Sequence, residues 1–290
     1  MVDNLFMQNE ILFEEKNHEY TNRNGERYES VSRLLKQLQV PFDKAMMSRI
    51  IAMKVSSEEG IPFEKAQTEL LKEWDDKRDS SIDKGNYVHD GLEDYTRTGK
   101  VWEGLEEPVR YMQEIFKDYY RFYPEVMLYS HKYKVAGRTD IVLQRQKSRI
   151  PVCDFADYKS NEAKGIVFDS ISRKESRPKH YNRFFLPPFD HLEACNYTIY
   201  SLQLSIYAFL ALELGKVKVG KLFIVFFDNE FRPTYIPVPF MYHEAKMICE
   251  LNLERKPLPK FNMLPRVEPV NRNFDTLGKP FNPDEVKEDW

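Results

Sequence analysis

Two apolar stretches in the middle of the chain, VAGRTDIVL from Val135 and PVCDFADYKS from Pro151, are separated by the polar residues Gln146 to Arg149. That spacing predicts two neighbouring strands joined by a tight connection. Strand-like EVMLYSHKYKV, from Glu125, precedes them. Downstream, CNYTIYSLQLSIYAFLALELG predicts a long helix over about 196–214, closed by Gly215. KLFIVFFD, from Lys221, is almost wholly apolar and suits a strand covered on both faces. YIPVPF and a helix near His243 to Leu251 follow.

The front of the chain has a different rhythm. HEYT and ERYESV flank Asn24-Gly25 and predict a hairpin. Ser30 or Ser32 can cap a short helix that Pro41 ends, and a second helix is expected over about 44–56. Pro62 opens another, carrying Leu70, Leu71 and Trp74. Further helices are expected at Asp83 to Thr98, closed by Gly99, and at Glu106 to Phe122. In the last of these, the aromatic run Phe116 to Tyr123 favours core packing over base stacking. The pattern divides into an N-terminal hairpin and helical region (1–82), a core (83–256) and an extended tail (257–290). The tail holds six of the seventeen prolines. Helices alternating with a sheet make the fold class α/β.

Composition narrows the class. The 290 residues are 42% hydrophobic, enough for one sizeable core. There is no apolar run of membrane-spanning length, and the acidic N-terminus lacks a secretory pattern, so no membrane is expected and a cytoplasmic location is. Cys153, Cys195 and Cys249 lack paired spacing and read as reduced thiols. A net charge of −3 names no partner, but its distribution is uneven. Lys164, Arg173, Lys174, Arg177, Lys179 and Arg183 follow directly on the Asp157/Lys159 strand, against Asp169 and Glu175. A charge run is ordinarily a solvated loop; this one borders candidate chemistry and is assigned phosphate contact.

That chemistry lies on the strand pair. Asp157 and Lys159 share one strand face, and the hairpin can bring Asp140 beside them. Two carboxylates and a lysine suit a hard divalent cation with a nearby water. On the helix DKGNYVHDGLEDYTRTG, His89 and Glu93 are four apart on one face, and Gly85 permits close approach of another backbone. Gln203 and Tyr207 are likewise four apart, with Tyr200 one turn before.

Taken in order, Gly-x-x-x-His-x-x-x-Glu, Gly-x-x-Asp, Asp-x-Lys and Gln-x-x-x-Tyr resemble the PD-(D/E)XK nuclease superfamily, in its RecB-like exonuclease branch. The likeness covers about 85–207. YESVSRLL and LLKEW look like the leading helices of phage-type and mitochondrial genome-maintenance exonucleases, and LPPFDHLEACNYTIYSLQLSIY like a phage-encoded version. The resemblance implies a restriction-endonuclease-like core, a mixed central sheet flanked by helices, with a helical N-terminal region as a substrate arch. It implies Asp140 and Asp157 as metal ligands, joined by His89, Glu93 and the Tyr158 carbonyl. Lys159 would hold or help deprotonate the attacking water, with a pKa lowered if desolvated. Gln203 and Tyr207 would support the site and contact substrate, with Arg173, Lys174, Arg177 and Lys179 beside them. Glu125 is held as a further contributor.

The activity so implied is a Mg2+- or Mn2+-dependent DNA exonuclease with one or two ions, acting on ends or single strands in viral-type replication, recombination or repair. The location would then be host cytoplasm. A structure-selective endonuclease with the same site is the alternative, and a silent DNA-binding subunit a third. Some relatives carry an iron–sulfur cluster on four cysteines; three dispersed ones predict none here. No helicase phosphate loop is present, so a motor or recombination partner would be a separate chain.

Overall fold

The central sheet forks, and the fork is what positions the candidate chemistry. The computed structural model describes residues 5–6, 10–15, 17–160, 168–169, 174–175 and 184–253, with backbone only at 168–169 and 174–175. The expected tail, 257–290, lies outside the described residues.

Three short strands lead: β1 (Ile11–Glu14), β2 (Glu19–Asn22) and β3 (Arg27–Ser30). The β2–β3 hairpin turns through Gly25 at φ 78°, a conformation glycine adopts without strain. Ser30 then caps α1 (Val31–Gln37), its side chain accepting from the Arg33 amide. Asp43 does the same for α2 (Lys44–Glu59).

Next comes α3 (Phe63–Thr98), 36 residues without a break. Two separate helices were expected here, divided between 82 and 83; that division falls inside one element. No proline interrupts the stretch, and its two glycines, Gly85 and Gly91, each cost about 1 kcal/mol without ending the helix. At ~1.5 Å per residue the helix is about 54 Å long. Its first half meets α2 through Lys44–Asp75 (2.6 Å), Gln67–Ser48 (3.0 Å) and the Phe42–Trp74 ring pair. Its second half buries Val88 and Leu92 against the sheet.

Helix α4 (Glu106–Phe116) is shorter than the sequence suggests. The chain becomes β4 (Arg121–Ser130), because Phe122 and Tyr123 lead into Pro124, which disfavours helix in the residue before it. Phe116 and Phe122 stack at 4.4 Å, so the aromatic run does serve packing. The hairpin of β5 (Val135–Gln144) and β6 (Val152–Ser160) is as expected. The two-residue strands β7 (Phe168–Asp169) and β8 (Lys174–Glu175) pair with each other. Then follow α5 (Asn196–Glu213), β9 (Lys218–Phe227), β10 (Pro233–Val238) and α6 (Tyr242–Leu253).

The main sheet runs β1-β2-β3-β5-β6-β9-β10, with β4 on the other edge of β5. It is mixed: β3–β5 and β6–β9 are parallel and the remaining pairs antiparallel. One face carries α3 and α4 over Ile141, Leu143, Ala156, Tyr158 and Phe223. α5, apolar nearly all round, is buried from Leu204 to Ala211. A mixed sheet flanked by helices is consistent with the restriction-endonuclease-like core expected. Among the described residues no helix is long and apolar enough to cross a membrane.

The fork is on β5. Its edge away from β4 pairs with β3 at Val135 and Ala136, then with β6 from Ile141 to Gln144. Among the described residues, Gly137 to Asp140 has no strand ladder on that edge.

Candidate metal centre

Where the β5–β6 ladder stops, side chains take over from backbone. The Tyr158 amide donates to Asp140 Oδ2 at 2.5 Å, and the Asp140 amide faces Asp157 Oδ1 at 3.4 Å. Each carboxylate thus satisfies the opposing strand where the two strands part. Asp157 and Lys159 turn together, as period-two alternation demands, and Lys159 Nζ donates to Asp157 Oδ2 at 2.6 Å. The ammonium also lies 5.0 Å from the Tyr200 ring centre on α5.

From the other side, α3 supplies His89. Its Nδ1 is 3.5 Å from Asp140 Oδ1 and its Nε2 is 3.1 Å from the Tyr158 carbonyl oxygen. β4 supplies Glu125. By register Glu125 lies across from Asp140, since Pro124 pairs with Ile141 and Val126 with Thr139. Its backbone is left-handed, φ 50°, a costly conformation for a glutamate within a strand. One ligand atom each from His89, Glu125 and Asp140 lies within 4.8 Å of the others.

The electrostatics are those of a crowded anionic site. Burial and the neighbouring Asp140 charge push Asp157 up to about 6. Burial and Asp140 likewise push Glu125 up to about 7, although Arg138 pulls against them. Burial works against the Asp140 anion too, but His89, Lys159 and the Tyr158 amide hold it below the ordinary range. Burial would discharge His89; the Asp140 charge and hydrogen bond outweigh it and raise the imidazole. Burial would also lower Lys159, and Asp157 and Asp140 overcome it, so the ammonium is held protonated. That corrects the expectation of a lowered lysine pKa. Without a metal ion, the two carboxylates keep Lys159 a cation beside the site.

A nitrogen and two carboxylate oxygens converging from a helix and two strands fit Mn2+ well. They fit Mg2+ when water completes the shell.

The expected residues divide clearly. His89, Asp140, Asp157 and Lys159 meet in one place. Glu93 is outside the group of three ligand atoms: it pairs with Arg97 at 2.7 Å, one turn along its own helix, while its charge reaches Glu125. The Tyr158 carbonyl is next to the site but faces His89. Gln203 donates to the Tyr207 hydroxyl at 3.0 Å, and Tyr207 is buried at 4% exposure, so the pair supports the site from behind. The reason is steric: a Cβ on Gly137 would lie 2.5 Å from the Tyr207 ring and 2.9 Å from Val31. Arg173, Arg177 and Lys179 lie outside the described residues, as does the Lys174 side chain. Glu125, only a contributor on sequence, is a full member of the cluster. Counting register across the β4–β5 turn is the signal that finds it.

No protein family model matches the sequence, and no curated protein matches it. Among solved structures the chain is similar to SSO0001, at 14% identity and a TM-score of 0.31, over 80% of this chain and 78% of that one. It is also similar to a protein of Eubacterium rectale named "Putative exonuclease", at 15% identity and a TM-score of 0.35, over 79% of each. Likenesses this far below a TM-score of 0.5 fix neither family nor activity.

Proposed function

We propose that this chain is a divalent-metal-dependent deoxyribonuclease that hydrolyses phosphodiester bonds at DNA ends or on single strands. The observation that supports this most directly is the convergence of His89, Glu125 and Asp140, with Asp157 and Lys159 against them. Mg2+ or Mn2+ held by these residues would neutralise phosphate charge and lower the pKa of a water molecule. Lys159, kept charged by Asp157, donates hydrogen bonds toward a phosphate oxygen. Asp140 and Asp157 orient the water. Its oxygen would bond to phosphorus as the bond to the 3′ oxygen breaks; the proton the water sheds passes to bulk solvent, which supplies one to the departing 3′ oxygen, leaving a 5′-phosphate and a 3′-hydroxyl. The paired helices α2 and α3 are assigned the end selection, as a wall past which a strand must thread. Any duplex unwinding is assigned to a separate partner chain.

Incubation with Mg2+ or Mn2+ and linear or covalently closed DNA tests the reading. Linear DNA is expected to be degraded, closed circles to persist, and Asp140→Asn to be inert on both. Rapid cutting of circles would make the enzyme an endonuclease. Absence of metal-dependent cleavage on either substrate would remove the proposal.

A further inference from the structure

Arg138 is one of the two unassigned positions inside Gly137-Arg-Thr-Asp140, and the structure gives it a particular setting. It lies two residues before Asp140 on β5. Its Nε meets Glu125 Oε2 at 2.5 Å, and its guanidinium carbon sits 5.1 Å from the Phe13 ring centre. Phe13 is itself backed by Tyr20 across the β1–β2 pair, with ring centres 4.8 Å apart, and by His18 at 5.1 Å. The guanidinium plane is thus supported on an aromatic face, which limits its rotamers. Yet the side chain is 40% exposed, while its partner Glu125 is only 10% exposed.

Glu125 therefore serves two claims. It holds Arg138, and it offers an oxygen to the cluster with His89 and Asp140. A carboxylate that gives charge to a cation has less to give a guanidinium. The guanidinium then keeps its aromatic support and its place beside the centre, with donors freed. A forked donor set in that position matches the oxygens of a phosphodiester.

We infer that Arg138 binds a backbone phosphate of the nucleic acid next to the one being cut, and that it is released for this task when Glu125 engages the metal. The inference rests on the nuclease reading above. It makes Arg138 a substrate-binding residue and a competitor of the metal for one carboxylate, so removing it has two effects of opposite sign. Phosphate affinity falls, and metal affinity rises.

The test uses the full chain and Arg138→Gln, which keeps a hydrogen-bond donor toward Glu125. Steady-state cleavage of a single-stranded oligonucleotide with Mn2+ gives KM and kcat, and its dependence on salt gives the number of phosphate contacts. Calorimetric titration with Mn2+ alone gives metal affinity. The variant should raise KM about tenfold with kcat within a few-fold, and should flatten the logarithmic salt slope by about 1. It should bind Mn2+ more tightly than the wild type, and an unchanged Mn2+ affinity would overturn the competition for Glu125. Weakening of both ligands together would mark a structural role and overturn the inference, as would an unchanged KM and salt slope. A wild type that binds no Mn2+ and cleaves nothing would instead defeat the nuclease reading, and this inference with it. Phe13→Leu is the second probe: it should raise KM in the same direction by a smaller factor, and an unchanged KM would count against the aromatic support.

Discussion

Asp154 and Asp157 are three residues apart on the same strand and both are buried, but their surroundings could hardly differ more. Asp154 accepts from Arg145 Nε and a terminal guanidinium nitrogen, both at 2.9 Å, from Tyr119 Oη at 2.7 Å and from the Lys221 amide at 2.7 Å. Those donors come from the β5–β6 connection, the approach to β4, and β9, so one carboxylate ties three parts of the sheet together. Even Gly220 is shaped around it, since a Cβ there would lie 2.0 Å from Asp154 Oδ1. Among the described residues Asp157 has one strong donor, Lys159, and a second carboxylate close enough to raise its pKa. A buried anion with a full set of donors is a fastener. A buried anion that is short of donors and shares its space with another is a vacancy for positive charge. Both readings come from DFADYK, and sequence spacing alone does not separate them.

The contrast is broken most forcefully by substituting each in turn. Asp157→Asn should cost at least about a thousandfold in cleavage, since ligand and orienting charge account for several kcal/mol of barrier. It should leave the metal-free melting temperature unchanged or raised, because it relieves like-charge repulsion. Asp154→Ala should do the reverse. It strips partners from Arg145, Tyr119 and the Lys221 amide together, and should lower unfolding free energy by about 3–5 kcal/mol. The protein that remains folded should keep its specific activity. Denaturant melts and initial rates on the same preparations decide it. Loss of stability from Asp157→Asn alone would make it a second fastener.

A smaller effect sharpens the same point through pH. Asp157 and Glu125 have folded pKa values above their ordinary ones, about 6 and about 7. The folded state therefore holds more protons than the unfolded chain. Their contribution to stability is complete below the unfolded values and is lost as pH rises through 6 and 7. His89, also raised, has the same sign; Asp140, lowered, has the opposite sign but acts only at lower pH. With chelator present, stability attributable to the cluster should decline by about 2–3 kcal/mol between pH 5 and 8. Mn2+ should reverse that decline. Asp157→Asn should flatten the profile, and equal profiles for wild type and variant would show that Asp157 does not titrate in this range.

How much of this the sequence discloses follows from which contacts are local. The β5–β6 hairpin, α5 and β9 are legible because each carries its own period or turn. The continuity of α3 is not: nothing in the pattern joins the segment opened by Pro62 to the one starting at Asp83, and only packing along both halves shows them to be one helix. His89, Asp140, Asp157 and Lys159 are legible because each lies on an element the pattern predicts, and the β5–β6 hairpin sets Asp140 beside Asp157 and Lys159. Glu125 is half-legible: its approach depends on a register set across the β4–β5 turn and on a left-handed residue that composition does not announce. Glu93 stands at the edge of the cluster: it pairs with Arg97 four residues on, and its charge reaches Glu125.

The two motif glycines give the finest division between what a pattern suggests and what the fold requires. Gly137 has no room: a methyl group there meets Tyr207 and Val31 at under 3 Å, and both are buried. Gly137→Ala should cost about 1–3 kcal/mol through overpacking and should lower activity with it, since Asp140 follows three residues later on the same strand. Gly85 was expected to admit a second backbone, yet the nearest atom to a Cβ there is Ser160 Oγ at 3.5 Å, an ordinary contact. It sits inside a long helix, where alanine is favoured by about 0.5–1 kcal/mol. Gly85→Ala should therefore raise the melting temperature slightly and leave cleavage unchanged. If stability rises but KM rises with it, the glycine is there to let the nucleic acid approach α3, and the space beside Ser160 belongs to substrate.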